Sequence, residues 1–140
     1  MTVITLPPDY KPSKDEEFMN ERQLEYFRQK LVAWKEELLK KSDDTLETMR
    51  EEGGLVEPDI TDRASAETDK AFELRTRDRY RKLISKIDAS LRKIENGTYG
   101  YCEETGEPIS LERLEARPIV TLSLEAQERH ERLEKTYNDD

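Results

Sequence analysis

The chain is poor in the residues from which catalytic and metal centres are usually built. Its 140 residues include one cysteine, Cys102, and one histidine, His130. A single cysteine forms no internal disulfide and cannot by itself supply a thiolate-rich zinc site. No Ser/His/Asp set and no glycine-rich phosphate cradle is present, so the sequence gives no support to an enzyme. Apolar residues are scarce as well, at 34%, and no run approaches the roughly 20 residues that span a bilayer. The start, MTVITLPPDYKP, has neither the basic nor the apolar segment of an export signal. The expected setting is the cytoplasm, without a membrane partner.

What is abundant is charge. Charged residues make up 41% of the chain, and 33 acidic against 24 basic residues leave a formal charge of −9. Such a balance repels nucleic acid and anionic membranes on average, so any effect on DNA is expected to run through a protein partner rather than through sequence-specific DNA binding. The lean apolar content suits helices that bury one narrow stripe, and predicts a mostly α, elongated protein.

Residues 1–12, with Pro7, Pro8 and Pro12, read as a flexible or extended leader. Ser13 and Glu16 fit a capping box, predicting a helix start near Lys14. Leu24, Phe27, Leu31, Trp34 and Leu38 then fall in a 3-4-3-4 spacing that continues into Lys41, Thr45 and Thr48. That is a coiled-coil seam that fades with distance along the chain; an amphipathic helix of a bundle is the alternative, but no third helix of matching length is available. Gly53 and Gly54 break the pattern, and helix resumes around Pro58 to Asp62 and ends at Asn96-Gly97. The second stripe is clear at Tyr80, Ile84, Ile87, Leu91 and Ile94, whereas the same phase gives Arg77 and Glu73 earlier. The expected hairpin therefore covers 13–97, with its tip near 51–64.

Residues 98–123 change character, with turn residues and aromatics, a short helix predicted at Leu111 to Ala116, and Pro118 ending it. Ser123 can cap a last helix within 124–140. Tyr99, Tyr101, Ile109, Leu114, Ile119 and Leu122 are the expected core of this module, which is too small to stand alone.

Asp59-Ile60-Thr61-Asp62-Arg63-Ala64 at the hairpin tip, Tyr99-Gly100-Tyr101-Cys102, and Arg113-Leu114-Glu115-Ala116-Arg117-Pro118 together resemble the DksA/TraR family of bacterial RNA polymerase regulators. The resemblance implies a coiled coil inserted through the polymerase secondary channel, with Asp59, Asp62 and Ala64 as the active-site-directed tip. It implies weakened promoter open complexes, with ribosomal RNA promoters lowered and some biosynthetic promoters raised, together with the alarmone ppGpp. Lys86 and Arg117 match basic positions at which the family holds ppGpp, while Gln127 stands where a third basic residue is typical. A monomer is expected. From spacing alone, Asp59 as N-cap and Asp62 in the first turn would equally serve their own helix.

The sequence departs from the family at the metal. The four cysteine positions of its zinc finger read Cys102, Thr105, Ser123 and Ala126. A closed structural zinc site needs four nitrogen or sulfur ligands, so the expectation is a degenerate, metal-free module. Cys102, beside Glu103 and Glu104, is expected to be an inert packed thiol. Other readings are a transcript-cleavage or antipause factor resembling the Gre proteins, against which the Arg113–Pro118 motif speaks, and a structural coiled-coil adaptor or homodimer.

Overall fold

The computed structural model describes residues 4–53 and 60–138, with side chains for 4–47 and 65–136. Four helices carry the described chain: α1 (Glu21–Gly53), α2 (Ile60–Asn96), α3 (Leu111–Ala116) and α4 (Leu124–Asn138). At 1.5 Å rise per residue, the 33 residues of α1 and 37 of α2 are each on the order of 50 Å long. The chain divides into two compact units: Val32–Asp88, and Met1–Leu31 with Ala89–Asp140.

In the unit Val32–Asp88, Leu38 and Ile87 are buried, and Trp34, Tyr80 and Ile84 are half-buried. Lys35 Nζ meets Asp88 Oδ1 at 2.7 Å, and further along α1 Lys41 lies in the field of Tyr80. The partner position falls as the α1 position rises, so the two helices run antiparallel, as the 3-4 seam predicts. Toward the far end the seam turns polar: Lys41 is exposed, while Glu73 and Arg77 occupy half-buried seam positions. Gly54, Pro58 and the side chain of Thr48 lie outside the described residues. α1 continues through Glu51 and Glu52 and ends at Gly53, the first of the glycine pair.

The other unit corrects the expected helix start. α1 begins at Glu21, not near Lys14, because Asn20 rather than Ser13 is its cap: Asn20 Oδ1 accepts the Gln23 amide at 2.9 Å. Ser13 Oγ instead accepts from the Asp15 amide, closing a local turn. Gln23, fully buried, ties this approach down. Its Oε1 accepts the Met19 amide at 2.8 Å, and its Nε2 donates to the Ser13 carbonyl at 3.2 Å. Met19 takes φ 52 there, and its side chain lies so close to Gly100 that a Cβ at that position would meet Met19 Cγ at 2.8 Å. With φ 93, position 100 favours glycine on both counts.

After α2, Gly97 in left-handed geometry lets the Thr98 and Tyr99 amides bond back to the Lys93 carbonyl. A tight loop follows, with Tyr101 and Pro108 bridged antiparallel, Cys102 N donating to Glu107 O, and Ile109 N donating to Gly100 O, both at 2.8 Å. Met19, Phe27, Leu31, Tyr99, Cys102, Ile109, Leu114, Ile119 and Ala126 form the buried apolar set of this unit among the described residues. Tyr101, expected inside, is 37% exposed and packs edge-on against Phe18 with centroids 5.4 Å apart; Leu122 is only half-buried. α3 matches its predicted span and is capped by Ser110, whose Oγ accepts the Arg113 amide.

Candidate functional site

The Arg113–Pro118 motif is mostly spent on holding the module together. Arg113 Nε donates to the Leu122 carbonyl at 2.9 Å, and Leu114 is fully buried. The Pro118 carbonyl accepts the buried Tyr99 hydroxyl at 2.7 Å. Glu115 takes Lys30 Nζ at 2.8 Å and the Tyr26 hydroxyl, while Lys30 also reaches the Glu115 carbonyl at 2.9 Å. Partial burial pushes the Glu115 carboxyl up, but the bonds from Lys30 and Tyr26 outweigh it and hold the group below the usual carboxylate range. Burial, with the Glu115 bond behind it, pushes the Tyr26 hydroxyl up to about 12. Glu115 is thus engaged by α1, and Arg117 is left over. The Arg117 side chain is exposed and has no hydrogen bond or ion pair among the described residues.

Lys86 lies in the other unit, also exposed and unpaired among the described residues. It is the last of a series that the two-residue reading of the sequence misses. Arg75, Arg79, Lys82 and Lys86 are all exposed, spaced 4-3-4 along α2, and none pairs with a carboxylate among the described residues. That spacing places them on one helix face. The signal was present in the sequence, but the chain's net negative charge masks it. Phe72, 65% exposed, lies one turn before Arg75.

Asp59 lies outside the described residues. Asp62 and Ala64 sit in the first turns of α2, and their side chains are not described.

At the former ligand positions, Cys102 is 3% exposed and Ala126 fully buried. Burial pushes the Cys102 thiol up, but hydrogen bonds from the Thr105 hydroxyl, the Ser123 and Thr105 amides and the Ser123 hydroxyl outweigh it, drawing the thiol down to about 6. The expected packing of Cys102 agrees with this burial. The expectation that Glu103 and Glu104 disfavour its thiolate does not hold, because four nearby donors outweigh two carboxylates directed elsewhere. Glu103 pairs with Lys93 and Glu104 with His130. Each hydroxyl oxygen also accepts an amide, Thr105 Oγ1 from Glu107 and Ser123 Oγ from Ala126, both at 3.2 Å. Ser123 therefore caps α4 as the sequence predicts. One sulfur, two hydroxyls and a methyl do not fit a closed four-ligand zinc site. Among the described residues no group of three or more His, Cys, Asp or Glu side chains could hold a metal ion.

Two long antiparallel helices, followed in the chain by a small turn-built module, define a class of two-part helical proteins. Comparison with protein families places the chain within that class. Residues 23–94 match the family model described as DnaK suppressor protein DksA, N-terminal domain, and residues 97–132 the prokaryotic dksA/traR C4-type zinc finger. The chain belongs to the DksA/TraR family. It is 63% identical over 139 residues to the RNA polymerase-binding transcription factor DksA of Caulobacter vibrioides, covering 99% of this chain and 97% of that protein. It is 45% identical over 116 residues to the protein of the same name in Escherichia coli K12, covering 83% and 76%. Among solved structures, transcription factor DksA2 from Pseudomonas aeruginosa superposes with a TM-score of 0.79 at 39% identity, covering 84% of this chain and 90% of that one. The family is one of transcription factors.

Proposed function

We propose that this protein binds bacterial RNA polymerase through the secondary channel, shortens the lifetime of promoter open complexes, and does so together with ppGpp. The relatives, similar over nearly the whole chain and named as RNA polymerase-binding transcription factors, carry the first part of this reading. Asp59, Asp62 and Ala64 are the tip residues that approach the polymerase catalytic centre. Ribosomal RNA promoters are lowered and some biosynthetic promoters raised. The protein acts as a monomer in the cytoplasm, without catalysis of its own and without reading DNA sequence; no helix among the described residues is long and apolar enough to cross a membrane.

Lys86 and Arg117 are the ppGpp-contacting cations. Their support is that both are exposed and have no internal partner among the described residues, whereas Arg113 and Glu115 of the same motif are consumed by the fold. A guanidinium offers a phosphate a bidentate fork and an ammonium a point charge. Gln127, which stands where a third basic residue is typical of the family, is bonded to Glu131 along α4.

Transcription in vitro from a ribosomal RNA promoter with purified polymerase tests the reading. Wild type is expected to lower the transcript and shorten open-complex lifetime, more so with ppGpp. Asp62→Asn is expected to bind polymerase with little change and to lose most of that effect. Unchanged initiation with wild type removes the proposal. A variant equal to wild type leaves Asp62 as a helix-start residue only.

A further inference from the structure

The zinc-finger family model covers residues 97–132, yet the donors at its ligand positions do not suit zinc. The structure shows what closes the module instead. The loop that carries Cys102 and Thr105 is shut by its own backbone, with Gly106 N donating to Cys102 O at 2.9 Å and Cys102 N to Glu107 O at 2.8 Å. It is joined to the chain before α4 by Glu103 N donating to Thr121 O at 2.9 Å, and that chain in turn receives Arg113 at the Leu122 carbonyl. Ser123 turns the segment into α4 by capping it, which buries Ala126 against the same small core as Cys102. Metal ligands in a finger come from such a loop and such a helix start, two from each.

We infer that this module is closed without metal by backbone and capping hydrogen bonds around the buried Cys102 side chain, and that its four former ligand positions still converge closely enough to rebuild a zinc site. The inference is independent of the polymerase reading, since it concerns only how the module holds its shape. Two features favour convergence over mere loss of the site. The Glu103 amide, beside Cys102, donates to the Thr121 carbonyl at 2.9 Å, so the loop that carries Cys102 and Thr105 is fastened two residues before Ser123 on a different segment. Ala126 is fully buried in the first turn of α4, where a longer side chain on the same Cβ starts from the interior and not from solvent. Each of the two hydroxyl oxygens accepts an amide, Thr105 Oγ1 from Glu107 and Ser123 Oγ from Ala126, so these positions are already bonded within the module.

The test uses the full chain expressed with ample zinc. Wild type is expected to purify with far less than one zinc per chain, and its melting temperature is expected not to move when a strong chelator is added. The triple substitution Thr105→Cys, Ser123→Cys and Ala126→Cys, kept reduced, is expected to bind roughly one zinc per chain, since four thiolates complete the ligand set. Its cobalt-substituted form is expected to show the tetrahedral thiolate spectrum, and its melting temperature to fall on chelation. Stoichiometric zinc in wild type, or unfolding of its module by chelator, overturns metal-free closure. A folded triple variant that takes up neither zinc nor cobalt overturns the convergence. Should the triple variant not fold, the double substitution Thr105→Cys and Ser123→Cys serves in its place, with cobalt bound by three thiolates expected and no binding contradicting the inference.

Discussion

Cys102 is the residue whose chemistry the fold changes most. Its thiol is drawn from the ordinary 9.0 to about 6 in the folded chain. A group whose folded pKa is depressed stabilises the fold fully above its unfolded pKa and loses that contribution as the pH falls through the folded one. The module of wild type is therefore expected to gain stability as the pH rises from about 6 toward 9. Cys102→Ala should show a flatter profile across the same window. Thermal melts of both proteins across that range check the expectation, and parallel profiles would contradict it. The Tyr10 and Tyr26 hydroxyls, pushed up to about 12 by burial and by their bonds to Glu16 and Glu115, do not titrate there. The lowered thiol was not legible in the sequence. Its neighbours in the chain are Glu103 and Glu104, which argue for the opposite shift, while two of the donors come from Ser123, close only after folding. Arg117 was half legible: its motif marked it, but only the capture of Glu115 by Tyr26 and Lys30 shows which side chain of that motif is left for a partner.

At the scale of the helix pair, burial divides the apolar residues of α2 into two kinds. Ile87 is fully buried, whereas Leu74 is 47% exposed. Ile87→Ala is expected to cost about 2–5 kcal/mol, and Leu74→Ala less than about 1 kcal/mol. Denaturant titration followed by helical circular dichroism measures both, and equal losses would contradict the seam assignment. Lys35–Asp88, with both side chains about a third exposed, adds little to this, on the order of 1 kcal/mol at most. The seam was readable because coiled-coil packing writes its period directly into the chain. α3 was equally plain from the proline that follows it, and the structure adds the Ser110 cap at its start. The start of α1 was not, because two capping signals compete there. Ser13 and Asn20 both can cap, and the choice rests on buried Gln23, which binds Met19 and Ser13 across the approach and leaves Asn20 to begin the helix. A buried glutamine in a charged segment gives no periodic signal.

For the molecule as a whole, the −9 charge conceals a local reversal. Arg75, Arg79, Lys82 and Lys86 present a basic face on a helix of an acidic protein, which suits a docking partner of acidic surface better than nucleic acid at large. Acidic residues lie elsewhere in the chain, among them Asp59, which precedes α2 in sequence, and Asp62 in the first turn of α2. The polymerase reading joins these features: a cationic flank for docking and an acidic tip for the catalytic centre. The measurement that tests this most directly replaces the catalytic Mg²⁺ of purified RNA polymerase with Fe²⁺ and maps hydroxyl-radical cleavage of the bound, end-labelled protein. Cleavage concentrated around residues Asp59 to Asp62 is the predicted result. Tight binding with no cleavage, or with cleavage confined to α4, would contradict the placement of the tip at the active site.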